Sequence, residues 1–134
     1  MNDYISIFKK DLLNLIDDVI KRNIVNQNFN KANLAIDFLS KSKQGDVSTN
    51  LFILLKSQLI KKNYDLRKDI YDIMIKFKYV RKVEITKVGF INIFFKEDFL
   101  IKNLNLILSN PDNYGNNNSG NDAHINIEFV SANP

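Results

Sequence analysis

The sequence has no cysteine. That excludes disulfides, thiolate zinc sites and cysteine nucleophiles, and it is compatible with a cytosolic setting. His124 is the one histidine, with no histidine–carboxylate cluster around it, so no metal centre is expected. No apolar run approaches the roughly 18 residues that a membrane span needs. The start, MNDYISIFKKDLLNLID, is charged and amphipathic and unlike a secretory signal. Arginine is scarce: of 19 basic residues only Arg22, Arg67 and Arg81 carry a guanidinium. Lysine supplies mobile point charges rather than rigid forks. Against 15 acidic residues the net charge is +4, which permits a polyanionic partner without proving one. Any nucleic-acid footprint should be modest and salt-sensitive. No nucleophile, general base or phosphate-binding glycine loop is recognisable, so no catalytic residues are expected.

What is present suits one domain: 134 residues, 45% of them hydrophobic. The organising stretch is residues 80–96, VRKVEITKVGFINIFFK. It predicts two strands joined at Lys87-Val88-Gly89, where glycine supplies the positive φ of a tight turn. Period-two alternation puts Val83 and Ile85 on one face of the first strand. In the second strand, Ile91, Ile93 and Phe95 share the face suited to a core. Phe90, Asn92 and Phe94 share the other. Two rings flanking an amide on the wetter side could hold an unpaired nucleotide by stacking and hydrogen bonding. Equally, the two rings could pack under a helix and Asn92 could cap a loop.

Elsewhere the chain is largely helical. Asn2 or Asp3 caps a first helix with Ile5, Phe8, Leu12, Leu15, Ile16 and Val19 on one face. Residues 22–31 form a polar loop, with Phe29 as its anchor. Residues 34–39 predict a third strand with one wet side at Asp37. After a Gly45-Asp46 turn, Asp46, Ser48 or Thr49 caps a second helix over residues 50–62. Asp65 caps a third helix, with Leu66, Ile70, Ile73, Met74 and Phe77 inward and Arg67, Lys68, Lys76 and Lys78 solvated. A fourth helix spans residues 97–108 and buries Leu100, Leu104, Ile107 and Leu108, with Glu97 and Asp98 favoured in its first turn. Residues 109–123 are asparagine-rich and form a linker. Then Ile125, Ile127 and Phe129 alternate as a new strand, with His124 exposed at its start. A strand beginning beyond a linker and ending at once suggests the first residues of another domain.

The tail IEFVSANP, residues 127–134, resembles the entry to the catalytic domain of arginyl-tRNA synthetases. Gly45-Asp46-Val47-Ser48-Thr49-Asn50 is similar to that family's Gly-Asp-x-x-Thr-Asn segment. Val88-Gly89-Phe90-Ile91-Asn92 is similar to its Pro-Gly-Phe-Ile-Asn turn, with Val88 in place of the common proline, so the turn should be less rigid. Tyr114-Gly115 resembles the aromatic-glycine pair of its linker. The resemblance implies an α+β fold, a small antiparallel sheet of about four strands packed against about four helices. It implies residues 1–108 as an amino-terminal domain recognising the tRNA D-loop, 109–123 as linker and 124–134 as the start of the catalytic domain. The matching nucleotide-reading positions are Phe90, to stack, and Asn92, to hydrogen-bond, with Lys87 close enough for phosphate or the same base.

In the tail, Glu128, Ser131 and Asn133 match positions lining the arginine pocket, Glu128 facing the guanidinium and the other two the amino-acid end. The intact enzyme would join L-arginine to its tRNA through an arginyl-adenylate, using ATP with Mg2+. The parts that do so are absent from these residues, so the chain alone should be inactive. It is expected in the cytoplasm, as a monomer, with arginine tRNA as partner and no membrane. The alternatives are a free-standing RNA-binding module and a protein-interaction module using the Phe90, Asn92 and Phe94 face.

Overall fold

Asp3 opens the fold as a helix cap. In the computed structural model, which describes residues 3–40, 44–116, 124 and 126, its carboxylate accepts from the Ser6 N–H at 2.8 Å. Helix α1 follows as Tyr4–Lys21, and the predicted face is the buried one, carrying Phe8, Leu12, Leu15, Ile16 and Val19. Asp65 likewise caps α3, Leu66–Met74, accepting from the Lys68 N–H at 3.0 Å. Helix α2 spans Leu51–Ser57 and α4 spans Glu97–Ser109.

Beside these four helices stand the strands β1, Ile36–Phe38, β2, Val47–Thr49, β3, Val80–Ile85, and β4, Ile91–Phe95. All neighbours are antiparallel, in the order β1-β2-β4-β3. This is the α+β arrangement expected. The period-two rule sorts its faces. Val47, Val83, Ile91, Ile93 and Phe95 join the helices in one core. Phe95 sits among rings, 5.7 Å from Tyr4, 5.6 Å from Phe8 and 5.6 Å from Phe99 by centroid. Tyr79 stacks on Phe99 at 4.6 Å and donates its hydroxyl to Asp11 Oδ2 at 2.6 Å. Burial first, and then that bond to a carboxylate, push the Tyr79 phenol well above its usual range.

Three expectations need correction. Residues 47–49 are a strand, and of the three expected caps only Thr49 reaches the helix start, its Oγ1 accepting from the Leu51 N–H at 3.4 Å. Asp46 accepts from the Phe95 N–H at 2.7 Å, and Thr49 Oγ1 also donates to Ala35 O at 2.7 Å, so Asp46 serves the sheet and Thr49 joins the sheet to α2. The second helix ends at Ser57 rather than near residue 62. Past it the backbone pairs with the segment after α1: Asn26 N–H donates to Gln58 O and Ile60 N–H to Ile24 O, each at 3.0 Å. That pairing takes up the Ile24 carbonyl and sets Val25 opposite Leu59, with Ile24 and Val25 both buried in a stretch expected to be a polar loop. Helix α4, finally, buries none of its residues fully; Leu104 is 52% and Leu108 67% exposed. Its contacts run to α1, where Asn103 Oδ1 accepts from the Tyr4 N–H at 3.2 Å, and they leave the last turns uncovered. The expected boundary at 108 falls in the last turn of α4, and the one at 123 falls at the end of residues 117–123, outside those described.

Candidate nucleic-acid interface

Between β3 and β4 the chain turns through Lys87, Val88 and Gly89. Thr86 N–H donates to Phe90 O at 2.8 Å and Gly89 N–H to Thr86 O at 3.1 Å, closing a three-residue loop. Thr86 Oγ1 also accepts from the N–H groups of Gly89 and Phe90, at 3.2 and 3.0 Å. Gly89 holds φ at +110°, and a Cβ there would lie 2.9 Å from Ile53 Cγ1 and 3.1 Å from Phe52 Cδ1. Glycine is required twice over, for the backbone angle and for the close approach of α2. Across the loop, Arg67 donates to Ile85 O at 2.9 Å and Thr86 O at 3.2 Å while its guanidinium lies 5.0 Å from the Phe52 ring. Arg67 is exposed, as expected of a solvated residue, and in addition clamps the hairpin.

Phe90 emerges from this loop with its backbone bonded on both sides and its side chain 41% exposed. Asn92 follows roughly 7 Å along the same side of the strand. Lys87 and Val88 stand exposed at the loop's tip. The three residues singled out in the sequence thus share one corner of the sheet. Phe94 does not join them. It is 7% exposed and lies outside the apolar core, covered by Lys82 at 4.9 Å and Arg81 at 5.7 Å from its ring. One ring, not two, is open beside the amide.

The registers place a polar row across the whole sheet: Asp37 opposite Ser48, Ser48 opposite Asn92, Asn92 opposite Glu84. Ser48 Oγ donates to Asn92 Oδ1 at 2.9 Å, and Glu84 pairs with Lys82 at 2.5 Å. Ser48 and Glu84 were not recognisable as neighbours of Asn92 in the sequence. Ser48 becomes a neighbour only once residues 47–49 are a strand in this register, while Glu84 faces Asn92 through the register of the β3–β4 hairpin. The arginines are all engaged: Arg22 with Asp18 at 2.8 Å and Asp69 at 2.7 Å, Arg67 on the loop, Arg81 over Phe94. The bond from Arg22 and the neighbouring charges hold that guanidinium above its usual range. At the corner Lys87 stands exposed at the loop's tip, and Lys82 is paired with Glu84.

Glu128, Ser131 and Asn133 lie outside the described residues, as does the strand expected around 125–129. His124 is exposed. Among the described residues there is no group of histidine, cysteine or carboxylate side chains able to hold a metal, and no helix is long and apolar enough to cross a membrane.

The sequence profile of the "Arginyl tRNA synthetase N terminal domain" matches residues 8–95. The chain is 41% identical over 91 residues to an "Arginine--tRNA ligase" of Oceanobacillus iheyensis, covering 67% of this chain and 16% of that protein. It is 39% identical over 92 residues to the ligase of the same name from Metamycoplasma arthritidis, covering 67% and 17%. With that of Nitrosospira multiformis it is 30% identical over 119 residues, covering 87% of this chain and 20% of the relative. The chain therefore spans between 16% and 20% of the length of these relatives.

Proposed function

The chain belongs to the arginyl-tRNA synthetase family through its N-terminal domain, and from that premise we propose that it reads an unpaired nucleotide in the D-loop of arginine tRNA. Phe90 stacks on the base, Asn92 hydrogen-bonds to its edge, and Lys87 meets phosphate or the same base. The observation carrying this reading is the corner itself: an exposed ring on a backbone bonded at both ends, beside a half-buried amide on the polar side of the sheet. A backbone already held in place loses little conformational freedom when its side chain stacks. Lys87 adds salt-sensitive attraction to the RNA backbone.

The domain's task in the whole protein is positioning. The activity we propose for that protein is attachment of L-arginine to its tRNA through an arginyl-adenylate, using ATP with Mg2+, in the cytoplasm and as a monomer. Glu128, Ser131 and Asn133 would contribute to the arginine pocket there, and the 134-residue chain alone would be inactive.

The test is an NMR titration of this chain with an unmodified arginine tRNA transcript at low salt. Shifts should cluster at Lys87, Phe90 and Asn92 and weaken when one D-loop base is replaced. Clustered shifts elsewhere, or none, would remove the reading.

A further inference from the structure

An amide can offer a base either its oxygen or its NH2 group, and the two select opposite partners. The neighbours of Asn92 distinguish them. On β2, Ser48 is 7% exposed and donates to Asn92 Oδ1 at 2.9 Å. On β3, the residue opposite Asn92 is Glu84, whose carboxylate is held on the same face by Lys82 at 2.5 Å. A carboxylate only accepts, so turning the Asn92 oxygen toward it would set two acceptors side by side. A hydroxyl on one flank and a carboxylate on the other favour one orientation of the amide. Oδ1 is occupied by Ser48, and among the described residues no side chain or backbone acceptor takes the Nδ2 hydrogens. Phe90, the exposed ring, stands on the same side of the strand.

We propose that Ser48 is a positioning residue that fixes the Asn92 amide with its NH2 group outward, so that the site selects a base presenting an acceptor atom. The inference rests on the nucleotide reading above and gives it a specificity. Ser48 itself does not touch the RNA. Because a hydroxyl can donate or accept, it acts together with Glu84: the carboxylate disfavours the orientation that would turn Oδ1 toward it, and Ser48 holds the remaining one by donating to Oδ1.

The experiment measures affinity of the 134-residue chain for four arginine tRNA transcripts. They differ only at one unpaired D-loop base, and the set is repeated for each such base. The unaltered chain should discriminate among them by about 5-fold, the range one hydrogen bond supplies. Ser48→Ala should shrink the spread to within about 2-fold while leaving the melting transition in place. Ser48→Thr keeps the hydroxyl and should restore the spread. Asn92→Asp keeps the bond to Ser48 but turns an oxygen outward, and should reverse the order toward bases with an exocyclic amino group. A full spread in folded Ser48→Ala overturns the role of Ser48 and leaves the nucleotide reading standing. Equal binding of all four transcripts by the unaltered chain overturns the selection and leaves Phe90 stacking alone. Absence of binding overturns the reading and the inference together.

Discussion

Phe94 and Phe95 are neighbours in the chain and almost equally hidden, at 7% and 2% exposure, yet they are hidden by different things. Phe95 faces the core and meets the rings of Tyr4, Phe8, Tyr79 and Phe99. Phe94 faces the polar side and lies under the cationic ends of Arg81 and Lys82. A cover of aromatic rings belongs to the packed interior and cannot leave without opening a cavity. A cover of long charged side chains can swing away at the cost of a few torsions and a weak cation–π contact. The two faces of β4 therefore differ in what holds them shut rather than in how much surface they show. Phe90, two residues before Asn92, marks the open end of the same series.

Truncating the three phenylalanines in turn makes that difference measurable. Phe95→Ala should lower unfolding stability by about 3–5 kcal/mol in urea, because both the transfer and the cavity contribute. If it cost no more than Phe94→Ala, the contrast between the faces would collapse. Gly89→Ala comes next, at about 1–3 kcal/mol, since it forces a side chain to φ +110° and against Ile53 and Phe52. A change below about 0.5 kcal/mol would mean that the hairpin loop does not depend on its seat on α2. Phe94→Ala should cost about 1–2 kcal/mol, the burial of a ring without the full cavity term. In an Arg81→Ala, Lys82→Ala background the same truncation should cost less, because the cover is already gone; an unchanged cost would show that the cations do not shield it.

How much of this was legible in the sequence follows from which forces act locally. The face of α1, the caps at Asp3 and Asp65 and the alternation of β4 are short-range patterns, and each was read from neighbouring residues. The strand at 47–49 was not, because Asp46, Ser48 and Thr49 are equally good helix caps and only pairing with β1 and β4 decides. Ile24 and Val25 were lost in a polar context for the same reason: their burial depends on a backbone partner beyond α2. For α4 the spacing of Leu104 and Leu108 is helical, but periodicity shows only that a stripe exists, not that this domain has a surface to cover it. At the site, Phe90, Asn92 and Lys87 were named from alternation and resemblance. The expected openness of Phe94 failed because its cover comes from β3, through Lys82 opposite it and the bulged Arg81.

The smallest effect on the fold should come from the residue that matters most to the proposed partner. Phe90→Ala removes a ring that is 41% exposed, while the loop bonds around it run through Thr86 and the Phe90 backbone, which alanine retains. Urea unfolding should therefore shift by no more than about 0.5 kcal/mol. Affinity for the arginine tRNA transcript should nevertheless fall about 5- to 100-fold, the contribution of one base stacked on an aromatic ring. Phe90→Tyr, which keeps the stacking surface, should bind nearly as tightly as the unaltered chain. A loss of several kcal/mol in Phe90→Ala would place the ring with Phe95 as part of the interior. Unchanged stability with unchanged affinity would leave the ring exposed but unused by RNA, and the polar face would then need a protein partner to account for it.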